Sequence, residues 1–390
     1  MAFELPERGF VFWPVGTGDS STIVVDRRKG IMIQLDLHEL ECCDDEDDPH
    51  TSIVDELIRL LPRRDRKPYL STFILTHPDK DHIQGFAELL SKVTIGEIWH
   101  TPRVFTEYKK DLCEDAKAFR LEVERRRKLT IENHGEVTSG DRIRVIGHGD
   151  IFKEDDYKNF PDRWRSYPGS WLTALDGEDQ TGVFEAFIHA PFKDNADGDR
   201  NDTSLALHIT LTKDKQTGKG LFLGDHRYPT LRRIFDKTKE KKRGRYLEWD
   251  VLLTPHHCSK SAMYWQDDPN KGEVFKSDIM DDFEESARAG AYVVASSESD
   301  FSDKEGKNPP HLKARKRYEE IVESGHFLCT QEHPNATSPE PISFEVSAEG
   351  FAYRSPSGTK KAEAASRLGT AVTQARGGGA PPKSQVGFGD

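Results

Sequence analysis

The stretch THPDKDH at residues 76–82 decides which fold and which kind of site this chain is expected to have. His77, Asp79, Asp81 and His82 follow an apolar strand predicted over 70–75 and precede a helix start at 84–90. A strand-to-helix turn directs short side chains toward one point, and imidazole nitrogens with carboxylate oxygens are usual ligands of divalent metal ions. Their spacing lets the first two residues face one ion and the last two face a second. The stretch therefore predicts a two-metal site rather than a solvated polar turn.

Further candidate ligands stand at the ends of three later predicted strands. His189 follows a strand predicted over 183–188, Asp225 follows one over 220–223, and the pair His256 and His257 follows one over 251–253. A single histidine after an apolar strand is more often a core or turn residue than a ligand. Three such placements in order favour a ligand set. The residues themselves leave open which of the paired histidines binds metal.

The chain between these motifs indicates a layered architecture. Short strands rich in β-branched residues alternate with helical stretches such as 229–237 and 313–324, which predicts an α/β (α+β) class. Residues 105–180, with a charged helical stretch, a short strand at 142–146 and a Trp-bearing loop, indicate an insertion on the scaffold. Residues 355–390 have almost nothing to bury and predict a disordered tail. We therefore expect one domain over 1–354, which carries the insertion, and then the tail.

Composition narrows the classes of partner and location. Among 390 residues, 56 are basic and 68 acidic, so the net charge of −12 creates no global attraction to nucleic acid or anionic lipid. A polyanion contact must come from a local patch, such as the basic runs at 125–128 and 237–245. The chain shows no signal peptide and no apolar run long enough to span a membrane, which predicts a cytoplasmic protein without membrane contact. Its five cysteines lack metal-site spacing and are expected to be reduced thiols.

Seven elements, in order, resemble the metallo-β-lactamase superfamily and, within it, the hydrolase domain of ComEC-type DNA-uptake proteins. They are PVGTGDS at 14–20, IQLD at 33–36, the segment 76–85, His189 with NDTSL at 201–205, LGD at 223–225, HHCS at 256–259 and NPPH at 308–311. The similarity covers residues 9 to 354. Two features depart from the family pattern: the 105–180 insertion, and Cys258 at a position where glycine is usual.

The resemblance implies a four-layer αβ/βα sandwich with two divalent metal ions at the edge where the strands of both sheets end. The ions would be zinc or manganese, since Asp79 makes the first site richer in oxygen. The resemblance assigns ligands as follows: the first ion to His77, Asp79 and His189, the second to Asp81, His82 and His256 or His257, and both to a bridging Asp225. It implies catalytic roles for Asp81, Asp225 and His257, an orienting role for Asp36, and substrate-cleft positions for Asn201, Ser204 and His311.

The function expected from these motifs is metal-dependent hydrolysis by a metal-bridging hydroxide, without a covalent intermediate. The favoured hypothesis is a binuclear phosphodiesterase or nuclease that acts on a nucleic acid or a nucleotide. One alternative is a hydrolase of a lactam, lactone or thioester. Another is a metal-stabilised interaction module that binds a protein partner in a larger assembly.

Overall fold

A computed structural model describes residues 3–41, 50–102, 112–193 and 201–356. The strands of this part of the chain, numbered in chain order, are β1 Gly9–Phe12, β2 Ser21–Asp26, β3 Ile31–Leu35, β4 Arg63–Arg64, β5 Lys67–Ile74, β6 Thr94–His100, β7 Arg142–Ile146, β8 Arg165–Ser166, β9 Trp171–Leu172, β10 Ala174–Leu175, β11 Glu178–Asp179, β12 Phe184–Ala190, β13 Ala206–Lys213, β14 Gln216–Phe222, β15 Trp249–Leu253, β16 Tyr264–Trp265, β17 Val274–Phe275, β18 Ala287–Ala295, β19 Phe327–Cys329, β20 Ile342–Ser347 and β21 Gly350–Arg354. Most of the predicted tail, from 357 onward, lies outside the described residues.

The α-helices of the described residues are α1 Ile53–Leu60, α2 Lys80–Ile83, α3 Phe86–Lys92, α4 Glu114–Glu132, α5 Tyr228–Glu240, α6 Ser277–Ser286 and α7 Leu312–Glu320. Helix α1 begins where the Ser52 side chain accepts a hydrogen bond from the amide of Asp55, and it ends before Pro62, which cannot continue a helix. None of the helices in the described ranges combines the length and the apolar character that crossing a membrane requires.

The longer strands form two sheets. The first has the order β21-β20-β1-β2-β3-β5-β6-β7-β8, with β4 paired to β5, and the second has the order β19-β18-β15-β14-β13-β12-β9. In the first sheet β3, β5, β6 and β7 run parallel, and in the second β14, β15, β18 and β19 run parallel. The strands β10 and β11, and β16 and β17, form two separate small hairpins.

Three hydrophobic clusters separate four layers. One joins α1, α3 and α4 to the first sheet, for example through Leu57, Phe86 and Phe119. The second lies between the two sheets and contains residues such as Ile33 and Ile209. The third joins α5, α6 and α7 to the second sheet. The order helix, sheet, sheet, helix is the αβ/βα sandwich that the resemblance implies, and it confirms the predicted α/β class.

The described part of the 105–180 region packs into these layers. Helix α4 buries Phe119 and Val123 against the first sheet, where β7 and β8 add two parallel strands. Farther along, β9 pairs with β12 at the edge of the second sheet, so this segment passes from one sheet to the other. Trp171 on β9 remains half exposed. The region therefore extends both sheets and covers one side of the sandwich.

The strand directions bring the motif residues to one edge. In a parallel pair the carboxyl ends of both strands lie at the same edge, and the start of an antiparallel neighbour lies there too. Asp36 follows β3, the 76–82 stretch follows β5, and Asp19 precedes β2, which is antiparallel to β3. In the second sheet, Asp225 follows β14 and the paired histidines follow the parallel β15. Both sheets therefore end in polar residues at the same edge of the sandwich.

Candidate metal centre

The 79–84 segment is held in place by backbone hydrogen bonds from two other loops. The amide of Asp19 donates to the Asp81 carbonyl at 2.9 Å. The amides of Leu37 and Glu39 donate to the carbonyls of His82 and Gln84 at 2.9 and 3.0 Å. These bonds satisfy backbone groups that a buried turn would otherwise leave unpaired. The protein's own backbone hydrogen bonds therefore fix this turn, independently of its metal-ligand side chains.

A first group of candidate ligand atoms surrounds one oxygen of Asp225. Its Oδ2 lies 3.5 Å from Nε2 of His77 and 3.6 Å from Nε2 of His256. Nε2 of His77 also lies 3.9 Å from Oδ2 of Asp79. Ligand atoms around a tetrahedral ion with bonds of about 2.1 Å are about 3.4 Å apart, so these separations are close to those that the ligands of a single metal ion would have.

A second group surrounds the other oxygen of Asp225. Its Oδ1 lies 3.4 Å from Nε2 of His82 and 3.7 Å from Nε2 of His257. The two imidazole nitrogens are 3.1 Å apart, and Nε2 of His257 lies 3.3 Å from Oδ2 of Asp81. Of the paired histidines, His256 thus lies near Oδ2 of Asp225 and His257 lies near Oδ1.

The burial and charge of these groups fit divalent ions. Nε2 of His77 and Oδ1 of Asp225 are buried, and within the described ranges neither has a hydrogen-bond partner. Burial alone would raise the pKa of Asp225, but His256, His82, His257 and His77 outweigh it and hold that pKa well below its ordinary value. A permanently ionised carboxylate among imidazoles is a donor set that binds a dication, because the ion replaces the protons that the imidazoles would otherwise carry.

Asp36 orients the ligands of the first sheet. Its Oδ2 lies 2.9 Å from Nδ1 of His82 and accepts a 2.6 Å bond from the hydroxyl of Thr76, which in turn lies 3.0 Å from Nδ1 of His77. The side chain of Gln34 donates to the Asp36 carbonyl at 2.7 Å and so supports its left-handed backbone, with φ of 54°. A carboxylate behind an imidazole fixes the ring and leaves Nε2 for the metal. This contact agrees with the orienting role expected for Asp36.

Asp19 has the same kind of contact on the other side of the centre. Asp19, His82, Asp225 and His257 each place one potential ligand atom within 4.8 Å of the others. Asp19, however, faces Nδ1 of His257 at 3.3 Å, whereas Nε2 of that ring faces Asp81 and Asp225. We therefore assign Asp19 to orientation rather than to the ligand set. Asp19 belongs to the 14–20 segment that resembles the family, but the sequence assigned it no role. Its position just before β2 was the feature that could have indicated an orienting role.

The loop that carries the paired histidines has an unusual backbone. His256, His257 and Cys258 have φ values of 48°, 52° and 63°, which is the left-handed region in all three. Each such residue other than glycine costs about 1–2 kcal/mol. Cys258, which stands where the family pattern has glycine, therefore occupies a backbone conformation that favours glycine. Strain of this kind persists where the surrounding structure fixes it, commonly at functional sites.

His189 lies outside the centre, which corrects the expectation that it binds the first metal. Strand β12 continues through Ala190, so the alternation of side chains turns His189 to the helix-facing side of the sheet. There its Nε2 lies 2.9 Å from the Tyr246 carbonyl and its Nδ1 lies 3.2 Å from the Thr238 hydroxyl. Burial lowers the pKa of His189 to about 4, which keeps it neutral.

The remaining predicted residues lie in two segments that contact the loops carrying the candidate ligands. Ser204 is fully buried. It packs against Gly224, the residue before Asp225, since a Cβ added to that glycine would lie 3.3 Å from the Cβ of Ser204. Asn201 begins the short turn that ends at Ser204, whose amide donates to the Asn201 carbonyl at 3.2 Å. His311 is buried against the 256–260 loop, with the amide of Lys260 donating to its Nδ1 at 3.2 Å. These contacts place His311 behind the ligand loop.

His38 was missed by the sequence reasoning. Its ring occupies the space above Gly18, where an added Cβ would lie 2.1 Å from Nδ1. Burial lowers the pKa of His38 to about 4, partly opposed by the charge of nearby Asp81. Because Gly18 has no side chain, the His38 imidazole fits next to the candidate ligand Asp81. In the sequence, the glycine itself was the only feature that could have indicated this position of His38.

The two basic runs are largely engaged within the protein. Arg126 is fully buried and donates to the carbonyls of Ile95, Gly96 and Arg142, while Arg125 pairs with Glu122 and Asp141. In the second run, Lys239 contacts Asp282 and Glu285, and Lys237 contacts Glu240. Side chains paired in this way stabilise local structure and offer little charge to a nucleic-acid backbone.

Fold and site together define a four-layer α/β sandwich with a candidate two-metal centre at the common strand edge. No protein-family model matches the chain, and no curated protein sequence does. Among solved structures, the chain is similar to a diphosphatase of the PhnP family (9% identity, 86% of this chain and 97% of that chain, TM-score 0.35) and to unliganded yeast PDE1 (12%, 83% and 97%, TM-score 0.37). It is also similar to a B3 metallo-β-lactamase with an active-site glutamic acid (13%, 71% and 83%, TM-score 0.34). These scores are below 0.5, so the architecture is established from the strand order and layers of this chain itself.

Proposed function

We propose that this chain is a metal-dependent hydrolase, and specifically a binuclear phosphodiesterase. The observation that carries the proposal is the position of Asp225, whose two oxygens face two separate groups of imidazole and carboxylate ligands. Two divalent ions held by these residues would supply an activated water and stabilise the charge that develops on an attacked phosphoryl group. Asp81, Asp225 and His257 remain our candidates for catalytic residues. The likeness to ComEC-type hydrolases stays a prediction.

Each proposed site contains two imidazoles and two carboxylates. The first has His77, His256, Asp79 and Asp225, and the second has His82, His257, Asp81 and Asp225 as the shared member. His256 takes the place that the resemblance gave to His189, so the first site keeps two nitrogen donors and two carboxylates. Imidazole suits zinc, and carboxylate suits manganese, so zinc and manganese both remain candidates for each site.

The protein's own side chains supply orientation and charge. Asp36 and Asp19 hold the rings of His82 and His257 from the Nδ1 side, which leaves both Nε2 atoms directed at the centre. Burial alone would lower the pKa of His257, but Asp225 and Asp19 raise it to about 10. These carboxylates therefore fix the ligand rings in place. For the substrate we propose a small phosphodiester or nucleotide, because several side chains of the two basic runs contact acidic or carbonyl groups of the fold itself.

The experiment compares the wild type with Asp81→Ala and, as a control for loss of one carboxylate, with Asp141→Ala, which removes a partly exposed aspartate paired with Arg125. Bound metal is determined by elemental mass spectrometry. Hydrolysis is measured on bis-p-nitrophenyl phosphate, dinucleotides and single- and double-stranded DNA with added Mn²⁺ or Zn²⁺. We expect about two metals per chain in the wild type and control, and phosphodiester cleavage that Asp81→Ala loses.

Two results would count against the proposal. Bound metal with hydrolysis only of lactone or thioester substrates would assign the centre to a different reaction. A purified chain that binds no metal under these conditions would remove the metal centre itself.

A further inference from the structure

His311 lies directly before α7, where that helix meets the 256–260 loop. It is only 5% exposed. Helix α7 is anchored by Ala314 and Tyr318, which are fully buried in the same hydrophobic cluster as Cys258. Close-packed side chains of this kind resist displacement, so the start of α7 is a rigid support for the loop.

Two hydrogen bonds connect His311 to the chain just after the strained residues. Its backbone amide donates to the Cys258 carbonyl at 3.1 Å, and its Nδ1 accepts from the amide of Lys260 at 3.2 Å. At the other end of the turn, the amide of His256 donates to the Gly224 carbonyl at 3.1 Å. The three left-handed residues are therefore fixed from β14 on one side and from α7 on the other.

We propose that His311 is a positioning residue, whose imidazole and amide clamp the left-handed turn 256–258 and thereby present His256 and His257 on opposite sides of Asp225. This inference rests on the proposed metal centre. Left-handed residues other than glycine relax to right-handed or extended backbone unless they are restrained. If His256 and His257 relaxed in this way, both imidazoles would rotate away from Asp225. The clamp therefore controls the ligands of both metal sites together.

The clamp and a substrate contact would depend on different nitrogen atoms of the His311 ring. Nδ1 accepts a hydrogen bond, so the neutral ring carries its proton on Nε2. Asparagine can place its Oδ1 near the position of Nδ1 and keep the bond from Lys260. Glutamine instead extends its oxygen toward the position of Nε2. A substrate contact would require the Nε2 position, whereas the clamp requires the Nδ1 position.

The test titrates metal-free wild type, His311→Asn, His311→Gln and His311→Ala with Co²⁺, and follows visible absorption. An exposed residue of the same helix, Lys316→Ala, is the control. Loss of a group that orients ligands lowers metal affinity about 10–100-fold. We expect this loss at both sites in the Ala and Gln variants, and near wild-type affinity in the Asn variant. Thermal melts establish folding, and the Asn and Gln pair carries the test if the Ala variant does not fold.

Cobalt affinity unchanged in the Ala variant, or restored by Gln and not by Asn, would overturn the clamp. A loss of cobalt affinity at only one of the two sites would also overturn the clamp. The cobalt measurement does not depend on turnover, so it separates the two proposals. A chain that shows this pattern but cleaves no phosphodiester keeps the clamp and loses the proposed activity. Cleavage with tight cobalt binding in His311→Ala keeps the activity and loses the clamp.

Discussion

The two sheets build their halves of the metal centre in different ways. The first sheet supplies His77, Asp79, Asp81 and His82 from six consecutive residues, in a turn whose backbone is tied to neighbouring loops. The second sheet supplies Asp225, His256 and His257 from two loops more than thirty residues apart in sequence, one of them in a strained left-handed conformation. Ligands that lie close together in sequence need only a local turn. Ligands that are far apart need the sheet and helices around them to be in place.

Within the second sheet, His189 and His256 show how much depends on where a strand ends. Both follow an apolar run at the same edge of the sandwich. His189 is still part of β12, so the alternation of the strand directs it to the helix layer. His256 lies three residues beyond β15, where the chain is free to turn toward Asp225. The end of the strand therefore separates the two histidines: His189 lies within β12 and faces the helix layer, whereas His256 lies beyond β15 and faces Asp225.

The largest effect is expected where the two halves meet. Asp225→Ala removes the carboxylate that faces both groups of ligands, so both metals should be lost together. An ion's stabilisation of transition-state charge is worth several kcal/mol, which corresponds to on the order of 10³-fold in rate. Elemental mass spectrometry and hydrolysis of bis-p-nitrophenyl phosphate measure the two losses. Asp250→Asn is the control, since Asp250 is a buried aspartate of the same sheet that pairs with Arg288. Two metals retained by Asp225→Ala would mean that the halves bind independently.

The second prediction sharpens the contrast between His189 and the metal-facing histidines. Burial lowers the pKa of His189 to about 4, below its ordinary 6.5. Below pH 6.5 the unfolded chain takes up a proton that the folded chain refuses. The stabilisation is thus complete above about pH 6.5 and is lost as pH falls through 4. At 1.4 kcal/mol per pKa unit the loss amounts to about 3 kcal/mol.

His189→Asn, which cannot titrate, should therefore lose less stability than the wild type between pH 6.5 and 4 in urea unfolding of the metal-free protein. Its metal content should equal that of the wild type. Burial, and next the charge of His189, lower the pKa of His208 to about 3; His208 is present in both proteins, so the part of its contribution that burial causes cancels in the comparison. A variant with only one bound metal would place His189 back among the ligands and remove the contrast.

Much of the fold was predictable because strands and helices have local signals. The alternation of strands and helices predicted a layered α/β class, and the resemblance to the metallo-β-lactamase superfamily implied the four-layer sandwich and the position of the centre. The role of Asp19 could not be predicted in the same way, because it arises from an antiparallel strand start that meets parallel strand ends. The side chain of His189 could not be placed, because a two-residue difference in the end of β12 decides which face it occupies. The left-handed turn depends on contacts with α7, some fifty residues away.

The third prediction compares the groups that orient each half. Asp36→Asn and Asp19→Asn should each weaken metal binding about 10–100-fold, measured by competition with a chelator. The loss should be larger for Asp36→Asn, because Asp36 contacts both His82 and Thr76, and Thr76 contacts His77. Asp19 contacts His257 most closely. Equal losses would show that the second contact of Asp36, through Thr76 to His77, adds nothing to its effect on metal binding.

The smallest effect is expected at Cys258, and its sign is informative. Cys258→Ala and Cys258→Gly both remove the buried thiol, but only alanine keeps the Cβ that makes φ of 63° unfavourable. The left-handed cost of about 1–2 kcal/mol is partly offset by the backbone entropy that glycine loses on folding, so Gly should be more stable than Ala by roughly 0.5–1 kcal/mol. Ala118→Gly within α4 should instead cost about 1 kcal/mol, because its backbone is right-handed. Denaturant unfolding of the metal-free variants measures both. If glycine were the less stable residue at 258 as well, the turn of the second sheet would carry no strain in solution, and the two halves of the centre would differ only in the spacing of their ligands along the chain.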